Sequence, residues 1–246
     1  MTNNPFKQDT LEAILWEFLS YPLNTAEGIL DRFAELPGAI RKKGKEPLEE
    51  FVYIRGTRED RATLIAHADT YFAFSGEHKM IYEDGIIKSD EPNDGIGADD
   101  RAGCAMLWLL KDLGHNLLII DGEESGGIGA SYLKKHHQEI LQEVQNSSFM
   151  LEFDRKTALA YAKYDLPVTK KFIEYLEKET GYKDDGGGFT DICVIGHEGC
   201  CSANVSVSYY NHHTSKEYIN VKEWLNNYEI YKKMLSKPLT RYELVK

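Results

Sequence analysis

Four apolar segments of this chain run straight into histidine or acid. "TLIA" at 63–66 leads to His67 and Asp69, and "LLII" at 117–120 leads to Asp121, Glu123 and Glu124. "FMLEF" at 149–153 leads to Asp154 and Arg155, and "NVSVSYYN" at 204–211 leads to His212, His213 and Thr214. Short, uninterrupted apolar runs are what a strand covered on both faces requires, and such strands belong to parallel sheets. Helical patterns alternate with them, which predicts an α/β layered fold with a mainly parallel sheet. In open sheets of that kind, sites form outside the carboxyl ends of the strands. The histidines and acids should therefore meet along one rim.

The intervening sequence supports this order. Helical spacing predicts helices over 9–19, capped by Asp9 or Thr10, and over 25–36, capped by Thr25. Residues 50–56 and 62–66 read as strands, and 79–89 as a hairpin turning at Asp84-Gly85. Residues 101–111, "RAGCAMLWLLK", are apolar all round, as in a helix buried between layers. Further helices are predicted over 127–145, with a break near His136, over 167–180, and from Val221 to Leu235. Further strands are predicted near 192–195 and 203–209.

The turn "GIGADDRAG" (95–103) puts Asp99 and Asp100 at the mouth of that buried helix. Taken singly, each polar piece has an ordinary reading. An H-x-D pair is structural, a D-D pair caps a helix, and an E-E pair is solvated. Asp184-Asp185 and His136-His137 are expected to face solvent. Together the pieces create a charge problem. Asp99, Glu123, Glu124 and Asp154 would gather four negative charges, and two unit charges at 4 Å repel by about 4 kcal/mol at an effective dielectric near 20. Two divalent cations would cancel that charge. Histidine mixed with Asp and Glu is the donor set of catalytic zinc, whereas structural zinc favours cysteine. Asp99 could place one oxygen on each ion.

The stretches "LIAHADT", "GIGADDRAG", "DGEESGGIGA", "LEFDRK" and "SYYNHHTSKEYI", spanning 63–219, together resemble the dinuclear zinc exopeptidases. That superfamily holds double-zinc aminopeptidases and peptidase T-like enzymes. The resemblance implies a three-layer α/β/α sandwich with a central mixed, mainly parallel sheet, and two divalent metal ions. Zinc is favoured, and cobalt or manganese is compatible. It implies that His67 and Asp154 hold the first metal, with Asp69 orienting His67. Asp99 bridges, with a cis peptide after it, and Glu124 and His213 hold the second metal. His212 is the alternative to His213. Glu123 is the implied general base, taking a proton from a metal-bridging water. Tyr209 or Tyr210 is the candidate oxyanion donor. Only 59 positions separate Asp154 from His213. That leaves no room for an inserted lid or dimerisation domain, so residues 1–246 are expected to form one catalytic domain. Any oligomer would not form through a lid. "KDDGGGFTD" (183–191) is expected to wall the cleft.

A net charge of −11 disfavours nucleic acid and anionic membranes as partners. No apolar run approaches the roughly 18 residues of a membrane span. Cys104 and Cys193 lie in apolar runs and are expected to be buried. The vicinal Cys200 and Cys201 are poorly placed for a disulfide. A reduced, cytoplasmic protein follows as the expectation. The expected function is an aminopeptidase acting on short peptides. The alternatives are a dipeptidase, an N-acyl amino acid deacylase, a two-metal phosphatase, or an inactive metal-bearing binding module.

Overall fold

The structure, a computed structural model, describes residues 4–73, 78–91 and 93–245. Helix α1 (Leu11–Leu19) starts where the Thr10 hydroxyl accepts the Ala13 N–H. Helix α2 (Glu27–Ala34) follows, with the Thr25 hydroxyl taking the Glu27 N–H. Strands β1 (Ala39–Lys43), β2 (Glu50–Ile54) and β3 (Thr63–His67) come next, then the hairpin β4 (Met80–Glu83) and β5 (Ile86–Ser89). Asp84 and Gly85, at φ 52° and 82°, turn that hairpin. Two left-handed residues are what its tight turn needs. Helix α3 (Ala98–Leu110) is followed by β6 (Asn116–Ile120), α4 (Ile128–His136) and α5 (Gln138–Gln145). Then come β7 (Met150–Arg155), β8 (Ala160–Ala162), α6 (Lys170–Thr180) and β9 (Lys183–Asp184). The chain goes on through α7 (Ile192–Ile195), β10 (Ser202–Ser206), β11 (Tyr209–Tyr210), β12 (Tyr218–Asn220) and α8 (Val221–Leu235).

Eight strands form the main sheet in the order β1-β2-β6-β3-β7-β10-β8-β9. The middle four, β6, β3, β7 and β10, are mutually parallel, while β2 and β8 join them antiparallel. The sheet is therefore mixed and mainly parallel, as expected. Alternate strand residues bury into two cores. Val52, Leu64, Leu117, Leu151 and Val205 pack with α1, α2, α3, α6 and α8. Phe51, Ile65, Leu118 and Met150 pack with α4, α5 and α7 on the opposite face. The result is an α/β/α sandwich with β3 near its middle. From β3 the chain crosses to β6 through α3 on one face, then passes back over β3 to β7 through α4 and α5 on the other. This reversal opens a crevice at the strands' carboxyl ends.

At one end of the sheet, β1 is tied down by charge. Arg41 pairs with Glu27, Asp31 and Glu50, and Lys43 pairs with Glu50 at 2.9 Å. A second sheet, β11-β12-β5-β4, lies apart from the first. Among the described residues no helix is long and apolar enough to cross a membrane. All four cysteines are free thiols.

Several expectations need correction. Residues 192–195 form a helical turn rather than a strand, because Asp191 and Ile192 give their N–H groups to the buried Glu152 carboxylate instead of to a sheet neighbour. Cys193, expected to be buried, is only half-buried. The strand expected over 203–209 ends at Ser206; after it, Tyr209 and Tyr210 belong to the second sheet. The expected helix break falls at His137, which leaves the α-helical region and packs its ring on Phe51. His137 is thus partly covered, whereas His136, Asp184 and Asp185 are exposed, as expected.

Candidate metal centre

His67 ends β3, fully buried, and its ring is held at both nitrogens. Nδ1 faces the Asp69 carboxylate at 3.3 Å and the Asp69 carbonyl at 3.2 Å. Nε2 faces Asp99 Oδ1 at 3.1 Å and Asp154 Oδ1 at 3.6 Å. Asp99 turns its other oxygen to His213 Nε2 at 3.3 Å, and Glu124 Oε1 lies 2.9 Å from the same nitrogen. Asp99 thus stands between two imidazoles with one oxygen toward each. Glu123 Oε2 lies 4.0 Å from His67 Nε2. The seven residues that sequence reasoning picked out are brought together at one rim of the sheet.

Backbone features aim these groups. Asp99 and Asp100 leave helical geometry, and the peptide between them is cis. Asp100 does not face the other acids as a donor. It accepts the His67 and Gly103 N–H groups at 3.2 and 3.0 Å. Asp69 takes the N–H groups of Glu123 and Glu124 at 3.2 and 3.1 Å, so it orients both His67 and the loop after β6. Ser208, Asn211 and His213 all have positive φ (64°, 54° and 60°). Non-glycine residues there cost energy and cluster at functional sites.

His67, Asp99 and Asp154 each offer a donor atom within 4.8 Å of the others, and so do Asp99, His212 and His213. Both members of the histidine pair therefore reach the centre. His213 makes the hydrogen-bonding contacts to Asp99 and Glu124, and His212 packs edge-on against His213 and Tyr209.

The electrostatics match the donor set. Among the described residues, no lysine or arginine pairs with Asp99, Glu123, Glu124 or Asp154; only the two imidazoles do. Burial opposes charge on His67, but Asp154, Asp69 and Asp99 outweigh it and push its pKa well above the imidazole range. Hydrogen bonds to Asp99 and Glu124 push His213 up to about 10. Burial raises Glu123 far above the carboxylate range, with Asp154, Asp191 and Glu152 adding to the shift against His67. Burial also acts on Asp99, but His213 and His67 overcome it and hold that carboxyl below its usual range. Asp99 and Asp154 are buried and Glu123 and Glu124 half-buried, and this mixed His/Asp/Glu set, with no lysine or arginine paired to it among the described residues, is one that could hold metal.

Several supporting residues escaped sequence reasoning. Glu217, fully buried, accepts the N–H groups of Ile96, Gly97 and Asp99 at 2.8, 2.7 and 3.2 Å, and so fixes the turn that carries Asp99. Thr190 and Asn204 grip Asp154 Oδ2 at 3.0 and 3.3 Å. Glu152 and Asp191 lie buried behind the centre, and neither Asp191 oxygen has a partner among the described residues. A single glutamate in "TSKEYI" carries no local signal of such a role.

Neither tyrosine expected as oxyanion donor is free for that task. The Tyr209 hydroxyl is buried against the Asp154 carbonyl and carboxylate at 2.9 and 3.0 Å, and the Tyr210 hydroxyl donates to Glu223 at 2.6 Å. Tyr164 is differently placed. Its oxygen accepts from Asn204 Nδ2 at 2.9 Å, which leaves its proton to give. Burial and nearby Asp154 push this phenol up, so it stays neutral. Tyr164 lines a cavity of about 280 Å³ together with Asp99, Glu123 and Asp154. Gly187, Gly188 and Phe189 line it too, so the 183–191 loop does wall the cleft. A Cβ on Gly187 would lie 2.3 Å from the Tyr164 ring, which is why the loop is glycine there. On the other side, a cavity of about 590 Å³ is bordered by Asp69, Tyr71, Asp121 and Glu124. Tyr71 stacks on His213 with ring centres 4.6 Å apart.

No family model matches the chain, and no curated protein matches it in sequence. Solved structures do. The aminopeptidase PepT of Bacillus cereus superposes with a TM-score of 0.70 at 15% identity, covering 94% of this chain and 98% of that one. A tripeptidase of Staphylococcus aureus gives 0.70 at 15% identity, over 94% and 100%. The Pyrococcus horikoshii TET1 peptidase, which can assemble into a tetrahedron or a large octahedral shell, gives 0.61 at 13% identity, over 94% and 100%. At such identities the likeness is one of fold, and the fold is that of these peptidases.

Proposed function

We propose that this chain is a metal-dependent exopeptidase, most closely an aminopeptidase of short peptides, working as one catalytic domain without a lid. The observation that carries the reading is Asp99 set between His67 and His213, one oxygen toward each, with Asp154 and Glu124 flanking and Glu123 beside them. The peptidases that share the fold support it.

His67, Asp99 and Asp154 would hold one divalent ion, and Asp99, Glu124 and His213 a second, with His212 within reach. Zinc is the ion that best suits these donors. When bound, such a pair supplies positive charge that acidifies a water and polarises a carbonyl. Glu123 accepts the water's proton as the water oxygen bonds to the peptide carbonyl carbon. The carbonyl oxygen gathers charge, and the Tyr164 hydroxyl donates to it. Glu123 then passes its proton to the departing nitrogen as the C–N bond breaks, leaving a free acid and a free amine. A shuttle must be ionised before it takes the proton and hold it until the bond breaks; bound cations would offset the burial that raises Glu123 and leave it ionised for the first step.

The test is metal analysis of the purified protein with turnover of aminoacyl and dipeptide substrates, in free-amine and amine-blocked pairs. Free-amine preference is expected. Glu123→Gln should lower kcat by about 10²–10⁴. Unchanged turnover in that variant removes Glu123 from the mechanism, and preference for blocked amines reassigns the activity to a deacylase.

A further inference from the structure

The peptidase reading leaves two cations of the cleft without a role. Arg155 and Lys156 directly follow Asp154, and both line the cavity that Asp99, Glu123 and Asp154 border. The chain has 40 acids against 29 Lys and Arg, and Asp99, Glu123, Glu124 and Asp154 gather at this rim, yet among the described residues neither cation pairs with them. Arg155 gives only its Nε, to Asp185 at 2.7 Å. Neither Nη group makes a hydrogen bond, and the Lys156 ammonium makes no ion pair, among the described residues. A free guanidinium edge is a fork shaped for a carboxylate, and a lysine beside it adds a mobile point charge.

The cleft is also polarised. The cavity on the other side of His213 is bordered by Asp69, Asp121 and Glu124, and Asp121 Oδ1 is buried without a partner. Acid thus lies at one end and base at the other, with the candidate ligands between them. In that field a peptide carboxylate is favoured on the side of Arg155 and Lys156, the only lysine and arginine lining either cavity. The cavity on the basic side, about 280 Å³, lies at the small end of ligand pockets, which run roughly 300–1,000 Å³. A carboxylate held by Arg155 and Lys156, in the same cavity as Glu123, would lie close to the scissile bond, so the chain beyond that bond would be short.

We propose that Arg155 and Lys156 form a subsite for the C-terminal carboxylate of the substrate, so that the substrate class is very short peptides with a free carboxyl end. The proposal rests on the peptidase reading, and its test is a binding measurement that does not need turnover. Zinc-loaded Glu123→Gln protein is titrated calorimetrically with tri-alanine, with tri-alanine amide, and with Ala-Ala-Asp amide, whose only carboxylate is a side chain. The free acid should bind about 10- to 100-fold more tightly than either amide, as expected for charge-assisted hydrogen bonds. Adding Arg155→Gln and Lys156→Met should reduce that preference to below about threefold, and Lys156→Arg alone should retain it. Equal binding of acid and amide overturns the proposal. So does a preference that survives the double substitution, which would place the carboxylate on the metal ions, or tighter binding of Ala-Ala-Asp amide, which would assign the subsite to acidic side chains. Selective binding of the acid by a protein that hydrolyses no peptide would sink the peptidase reading and leave this subsite standing.

Discussion

On the two-metal reading proposed above, Asp69→Asn should weaken the ion that Glu124 and His213 would hold rather than the one that His67 would hold. Asp69 Oδ1 serves two donors, His67 Nδ1 at 3.3 Å and the Glu123 N–H at 3.2 Å, while Oδ2 serves the Glu124 N–H at 3.1 Å. An asparagine keeps one oxygen. Placed at Oδ1 it preserves two contacts, and His67 retains the Asp69 carbonyl at 3.2 Å in any case. The new NH₂ then faces the Glu124 N–H, donor against donor. A buried donor left unmatched costs about 1–3 kcal/mol. Displacing the Glu124 loop by that amount should weaken metal binding about 10- to 100-fold, the usual range for residues that orient ligands. Because Glu124 pairs with His213, the loss should fall on the second of two binding steps when metal-free protein is titrated with zinc against a chelator. The first step, through His67, should change less than about threefold at that energy scale. Two unchanged steps, or a loss confined to the tighter step, would falsify the view that Asp69 acts mainly on the Glu123-Glu124 loop.

Tyr164→Phe should lower kcat by about 10²–10³ with little change in KM or metal content, measured by steady-state kinetics; an equal change in Tyr210→Phe would assign the effect elsewhere. Metal affinity should rise with pH. In the metal-free protein His213 is raised to about 10 and His67 well above its usual value, so both stay protonated at neutrality, and each must lose its proton to bind. Zinc titrations from pH 6 to 9 should therefore tighten steadily and release protons, and a flat profile would contradict those shifts. Gly103→Ala, which ordinarily favours a helix, should destabilise by about 1–3 kcal/mol, read by thermal or denaturant unfolding. Its Cβ would lie 2.0 Å from the Phe153 carbonyl oxygen and 2.4 Å from the Asp100 carboxylate.

The rim was legible in the chain because its chemistry follows apolar strands without a gap. His67, Glu123, Glu124 and Asp154 each sit at or just past the end of a strand buried on both faces, and position along such a strand dictates place in space. What local pattern could not carry is what long-range partners decide. The 192–195 segment has strand-like residues, yet Glu152, forty positions away, captures its amides and turns it into a helix. Strands β8 and β9 are three and two residues long, too short for any periodicity to register. Glu217 is ordinary in sequence and acquires its role from the Ile96–Asp99 turn it meets only after folding. Tyr209 sits beside His212 and His213 in the chain, but its hydroxyl is spent on Asp154, whereas Tyr164, farther away in sequence, keeps a proton to donate.

Strand β1 closes one border of the main sheet with Arg41, Lys42 and Lys43 in succession, and two of these are locked to acids on α2 and β2. An outermost strand with open amides is a template on which another chain can polymerise. Here a second copy docking its own β1 would bring like charges together, and an acidic newcomer would have to break contacts already made. Ribbon-like growth is discouraged at that margin. Ordered association between copies is thereby steered away from this border of the main sheet.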